Sequence, residues 1–194
     1  MPIRLMTPLT KDKLSALRAG DEVLLSGTVY TARDAAHKRI SELLEKGEEP
    51  PFDLKDAVIY YVGPSPARPG EACGAFGPTT SGRMDAYAPA LLERGLSAMI
   101  GKGERAQSVV ESIAKNGAVY FGAIGGIAAI NARCVAAKET VAFPDLDSEA
   151  VCRVEVCDMP LTVVIDSAGN DYYRLGVERY LRQRKVQISE VPED

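Results

Sequence analysis

The feature that most constrains this chain is an alternation of short apolar runs with amphipathic segments through its middle. Residues 57–62 (AVIYYV), 96–100 (LSAMI) and 118–124 (AVYFGAI) read as strands, the first apolar enough to be buried on both faces. Between them lie helical patterns. RMDAYAPALLERG follows the first strand, and ERAQSVVESIAKNG carries Val109, Val110 and Ile113 on one side. Strand–helix–strand order of this kind predicts a mostly parallel central sheet with covering helices.

Both ends of the sequence add β-rich pieces. Residues 3–6 (IRLM) and 22–30 (EVLLSGTVY) read as strands, separated by a short helix through Leu14 and Leu17 that Gly20 stops. RDAAHKRISELLEKG places Ala36, Ile40, Leu43 and Leu44 at helical spacing and ends at Gly47. GGIAAINARCVAA reads as a small-residue helix close to the sheet, and ETVAF, VCRVEVC and LTVVIDS as three further strands. The polar tail after residue 173 predicts a peripheral helix with a frayed end. At 194 residues the chain suits one α/β domain, 1–173, with an additional β layer and the tail 174–194.

Charge and composition exclude several classes. A net charge of −4 and a pI near 5.2 give no basic field for nucleic acid or anionic lipid. No apolar run approaches the ~18 residues of a membrane span, and the N-terminus lacks a signal-peptide core, so a cytoplasmic protein is expected. Cys73, Cys134, Cys152 and Cys157 form no CxxC pair and are expected to stay reduced.

Residues 63–82 (GPSPARPGEACGAFGPTTSG) break the alternation. A loop of roughly 20 residues inside a compact domain is uncommon and is usually functional. Its end, Gly77 to Arg83, is one of three strand-to-helix junctions rich in polar residues. The others are Thr31-Ala32-Arg33-Asp34 and Gly101-Lys102-Gly103. Junctions at the carboxyl ends of sheet strands converge on one crevice, and helix starts there favour anions. Arg33, Arg83 and Lys102 are therefore candidate cations, with the hydroxyls of Thr79, Thr80 and Ser81 between them. Such a set suits a small dicarboxylate, because arginine grips a carboxylate in a fixed plane and lysine adds a point charge. GKGE lacks the spacing of a Walker motif, and GxGxxG is missing, which argues against a nucleotide site.

The strings SGTVYTARDAAHKR, GPTTSGRMDAY, MIGKGERAQ, FGAIGGIAAI and DSAGNDYY, in this order, resemble the β-type catalytic domain of the iron–sulfur hydro-lyases. That family comprises class I fumarases and L-tartrate dehydratases. Gly82, the Met-Asp-Ala-Tyr continuation and FGAIGG sit closer to the fumarase branch. The resemblance implies a single swivelling-type β/β/α domain. It further implies Thr79 as the base at carbon, and Arg33, Thr80, Ser81, Gly82, Arg83 and Lys102, together with Thr79, as the substrate-binding set. His37, one helical turn beyond Arg33, belongs to the same string and is a candidate supporting residue behind it.

Dehydrating malate means removing a weakly acidic C–H proton beside a carboxylate and expelling hydroxide, which calls for a Lewis acid. A cluster needs three or four convergent thiolates, and these cysteines are scattered, with Cys152 and Cys157 on opposite faces of one strand. The resemblance places a 4Fe-4S cluster in a separate α subunit, or in an N-terminal domain where the two are fused. A second polypeptide is expected here, so the expected assembly is a hetero-oligomer, with a homodimer as the form of the isolated chain. The β subunit of L-tartrate dehydratase and a non-catalytic dicarboxylate-binding module are the alternatives.

Overall fold

The computed structural model describes residues 1–189, with side chains to residue 182. Its strands are β1 (Ile3–Met6), β2 (Glu22–Thr31), β3 (Val58–Tyr60), β4 (Ala98–Gly101), β5 (Val119–Gly122), β6 (Val135–Ala142) and β7 (Val151–Ile165). Its α-helices are α1 (Lys11–Ser15), α2 (Asp34–Glu45), α3 (Ala88–Glu93), α4 (Gln107–Asn116), α5 (Ala128–Arg133) and α6 (Tyr172–Ser189). Among the described residues no helix is long and apolar enough to cross a membrane.

All seven strands join one sheet, ordered β1-β2-β3-β4-β5-β7-β6, and an extra β2–β7 pairing closes it into a barrel-like ring. The pairs from β1 to β5 are parallel, whereas β7 runs antiparallel to β2, β5 and β6. The sheet is thus mixed where a mostly parallel one was expected. The C-terminal strands are also not a separate layer. VCRVEVC and LTVVIDS form one 15-residue strand that seals the gap between β2 and β5. Its register against β2 shifts between Leu25 and Gly27, a bulge at which Gly27 takes φ 101°.

Period-two alternation sets the two cores. Val58, Tyr60, Ala98, Ile100, Val119 and Phe121 point to one cluster, shared with Leu25, Val154 and Val163 across the ring. Their neighbours Ile59, Tyr61, Met99 and Tyr120 point to the other, under Ile40 of α2, Leu91 of α3 and Ile113 of α4. Each of β3, β4 and β5 is therefore buried on both faces, which is why these segments read as nearly continuous apolar runs.

Three element boundaries differ from expectation for local reasons. The helix expected from Arg83 onward is split into a 3-10 turn, Ser81–Met84, and α3, which restarts at Ala88 with Pro89 in its first turn. Proline is welcome there because its missing N–H has no intrahelical partner at that position. The expected small-residue helix stops at Arg133. Pairing with β7 draws Val135–Ala142 into β6, so tertiary pairing overrides the helical preference of the alanines. Helix α6 starts at Tyr172, and the frayed end expected at residues 190–194 lies outside the described residues.

Candidate functional site

Because β2, β3, β4 and β5 are mutually parallel, their carboxyl ends share one rim of the ring. Arg33 leaves the end of β2, and Lys102 the end of β4. The segment carrying Thr79 to Ser81 is inserted between the ends of β3 and β4. Thr79 N–H donates to the Tyr61 carbonyl at 2.7 Å, Lys102 N–H to the Thr79 carbonyl at 3.3 Å, and Ser81 N–H to the Lys102 carbonyl at 2.9 Å. Three stretches far apart in sequence, at Tyr61, Thr79–Ser81 and Lys102, are thus held by backbone bonds as if in one more strand. The long loop behind them is tied at its base, where the buried Tyr60 hydroxyl donates to the Phe76 carbonyl at 3.2 Å.

The two arginines meet through carboxylates. Asp34 Oδ2 lies 3.2 Å from Arg33 Nε and 3.2 Å from Arg83 Nη2, so one carboxylate bridges both guanidiniums. Glu149, delivered by the 3-10 segment Pro144–Glu149, places Oε1 3.1 Å from Arg33 Nη2. Its Oε2 accepts the Ala35 N–H at 2.8 Å and so caps the start of α2 from outside the helix. Arg33 also runs against Gly63, where an added Cβ would lie 2.9 Å from Nη1, so the close approach needs glycine. These contacts hold Arg33 through two carboxylates, whereas Arg83 is tied by a single one.

His37 is buried behind Arg33. Its Nδ1–H donates to the Arg33 carbonyl at 3.1 Å, the one tautomer that a carbonyl can accept, leaving Nε2 as a bare acceptor without a partner. Burial is the main reason its pKa falls to about 4, and the Arg105 charge adds to the effect. The ring is a neutral spacer, packed edge-on to Tyr61 and tilted against Tyr87. It does not reach a ligand as a cation at neutral pH.

The hydroxyls divide. Ser81 is fully buried, and its Oγ sits 2.9 Å from the Tyr120 hydroxyl, which donates to the Gly103 carbonyl at 3.0 Å. Ser81 therefore stitches the loop to β5 and contributes its backbone, not its hydroxyl, to the rim. Thr79 is half-buried, while Thr80, Gly82, Arg83 and Lys102 are exposed. Thr80 bridges Lys102 in parallel, and the lysine stem passes Gly125 at 3.7 Å from where a Cβ would be. A cleft of about 280 Å³ opens beside Lys102, walled by Gly122, Thr162 and Tyr172. A larger one of about 580 Å³ lies at Leu44 to Leu54 and Arg94, on the other side of the helices. Glu48, Glu49 and Asp53 line it and would repel a dicarboxylate, so size is a poor guide here.

Of the expected set, Arg33, Arg83, Lys102, Thr79, Thr80 and Gly82 come to the rim, and His37 and Ser81 stand behind it. Of the three junctions only Arg33 directly opens an α-helix. The second opens a 3-10 turn, and after Gly103 three residues intervene before α4. Asp34 and Glu149 were not anticipated as partners. Asp34 had a local signal in its adjacency to Arg33. Glu149 had none, being 116 residues from Arg33 in sequence and brought in by the return of the chain into β7.

Comparison with known proteins identifies the family. The chain matches the family described as Fumarase C-terminus over residues 1–176. It is 42% identical over 175 residues to fumarate hydratase 2 of Leishmania major, covering 88% of this chain and 31% of that protein. Against the anaerobic class I fumarate hydratase of Escherichia coli K12 it is 40% identical over 164 residues, 84% of this chain and 30% of the relative. The chain thus spans about a third of the fumarate hydratases it matches. A Methanocaldococcus jannaschii protein provisionally named L(+)-tartrate dehydratase subunit beta is 39% identical over 171 residues, 85% of this chain and 88% of the relative. The chain belongs to the Fumarase C-terminus family, the β-type domain of class I fumarate hydratases and of their tartrate dehydratase relative.

Proposed function

We propose that this chain is the β subunit of a two-subunit class I fumarate hydratase, gripping the dicarboxylate and handling the proton in the reversible hydration of fumarate to L-malate. The observation that carries the reading is the convergence of Arg33, the Thr79–Arg83 segment and Lys102 on one rim. In this reading Arg33, Arg83 and Lys102 hold the two carboxylates, and the Thr80 hydroxyl and the N–H of the Ser81–Gly82 peptide complete the grip. Thr79 takes the proton from carbon in dehydration and returns it in hydration. Cations on the adjoining carboxylate stabilise the negative charge that builds up as the proton leaves. They also favour the alkoxide form that a threonine base requires.

The remaining step, departure of hydroxide, calls for a Lewis acid that this chain's donors do not suit. Cys73 and Cys152 are buried, Cys157 is exposed, and Cys134 sits at the end of α5. Among the described residues no three His, Cys, Asp or Glu side chains are grouped to hold a metal. The reading therefore assigns the 4Fe-4S cluster to an α partner, with the present domain swivelling as one body against it in the cytoplasm. The family holds a relative named as a β subunit, which supports a separately encoded unit.

The test is anaerobic reconstitution with a cluster-bearing α subunit, followed by malate and L-tartrate assays. Malate turnover by the pair and none by either chain alone is expected. Activity on tartrate alone would replace the substrate with that of the M. jannaschii relative's name. Dicarboxylate binding with no turnover on either would reduce the chain to a binding module.

A further inference from the structure

Arg105 is the one arginine of this chain whose side chain, among those described, is completely buried in an ion pair, and no role at the rim explains it. Its Nε donates to Asp85 Oδ1 at 2.6 Å, and Asp85 Oδ2 accepts the Ala106 N–H at 2.6 Å. Asp85 directly follows the 3-10 turn Ser81–Met84, whereas Arg105 and Ala106 follow Lys102 by three and four residues. One carboxylate therefore clamps together the two loops that bear the rim.

The surroundings of the guanidinium point the same way. It lies over the rings of Tyr61 and Tyr120, 5.3 and 5.1 Å from their centroids. The Tyr61 carbonyl receives the Thr79 N–H, and the Tyr120 hydroxyl holds Ser81 and Gly103. Both walls of the Arg105 slot are thus the residues that place the rim loops. The pair is not an economical way to fill a core. Arg105 Nη2, Tyr61 OH and His37 Nε2 are buried without partners, and Nη1 has only the Met99 sulfur at 3.5 Å. A buried charge with incomplete partners contributes little net stability, and its best-attested use is to fix one arrangement among several.

We propose that the Asp85–Arg105 pair is a positioning device that sets the register of the Thr79–Arg83 segment against Lys102, with neither residue touching substrate. Its catalytic consequence rests on the function proposed above, but its structural consequence does not. Displacements on the order of 1 Å at a reacting group can cost about 100-fold in rate, so the pair should matter to turnover far more than to folding.

The experiment uses the double variant Asp85→Ala/Arg105→Met, which removes both charges together and leaves none buried alone. Amide hydrogen exchange of the chain is read at Thr79, Ser81 and Lys102, whose acceptors are backbone carbonyls untouched by the change. Exchange about tenfold faster or more is expected there, with the β5 and β7 amides unaltered. In the reconstituted pair kcat should fall about tenfold or more, beyond any change in KM. Arg105→Lys, which keeps the charge but not the planar fork, should recover part of both effects, and it carries the same test should the double variant not fold. Unaltered exchange at those three amides, with unaltered kcat, overturns the proposal. If the wild-type pair has no hydratase activity, the function proposed above fails while the exchange measurement still decides the positioning role.

Discussion

His37 makes the stability of the chain depend on pH below neutrality. The sequence holds a single histidine, and its imidazole ionises near pH 6.5 when unfolded but only near 4 when buried in the folded chain. Between those values the unfolded chain binds one proton more than the folded chain, so stability rises with pH across that interval and levels off above about pH 7. The full difference amounts to about 3 kcal/mol, and about 2 kcal/mol of it should be lost on going from pH 7 to pH 5. Urea unfolding followed by far-ultraviolet circular dichroism at half-unit intervals would show this. His37→Gln, lower in absolute stability, should have a flat profile over the same interval. The aspartate contribution is separate. Burial raises the Asp166 carboxyl, yet hydrogen bonds from Asn170, Ala19 and Ala168 outweigh it and hold the pKa below the ordinary range. Stability from that group is present above the usual carboxylate range and disappears only at lower pH. A wild-type profile flat to about 0.5 kcal/mol between pH 7 and 5 would refute the claim that His37 is buried and neutral.

The other predictions concern the rim. Thr79→Ala in the reconstituted pair should lower kcat by about 100-fold or more and leave KM nearly unchanged, in line with removal of a general base; near-normal turnover would take the base role away from Thr79. Arg83→Ala and Arg33→Ala should instead raise KM for malate as well as lower kcat, since both arginines are assigned to the carboxylates, and a purely kcat effect in steady-state assays would contradict that. Gly101→Ala should destabilise the chain by about 1–3 kcal/mol in denaturant unfolding, because a Cβ there collides with the buried Ser81 Oγ and approaches Tyr61. Pairing it with Ser81→Ala should restore part of the loss.

The fold was legible wherever local pattern and tertiary environment agreed. The runs at residues 57–62, 96–100 and 118–124 became β3, β4 and β5 because burial on two faces demands apolar residues at every position. What escaped was decided by partners distant in sequence. The strand expected at ETVAF is present, but it begins four residues earlier: residues 135–138 are alanine-rich and mostly exposed, so nothing local marks them as strand, and the free edge of β7 recruits them. Ring closure was equally invisible. It depends on β7 spanning β2 and β5 at once, through a bulge whose need for Gly27 looks like an ordinary glycine in the sequence.

The site shows the same division, with a consequence for recognition. Cations at strand ends could be picked out from spacing, but their counter-charges could not. Arg33 and Arg83 pair with Asp34 and Glu149, so that these four side chains and Lys102 together carry one net positive charge instead of three. Under the proposed function a dicarboxylate would compete with Asp34 for the two arginines, and in doing so it would leave that carboxylate to its place at the start of α2, where the helix end still favours it. The internal carboxylates hold the Arg33 guanidinium through two contacts, so less of its side-chain freedom would be lost on binding than for the half-exposed Arg83. Under the same proposal they would also penalise a ligand with a single carboxylate, since one contact would not offset displacement of Asp34. On this argument Asp34→Asn would tighten monocarboxylates relative to dicarboxylates, measurable as a narrowing of the inhibition constants of acetate and succinate against malate turnover. An unchanged ratio would mean that Asp34 only orders the arginines and takes no part in selecting the ligand.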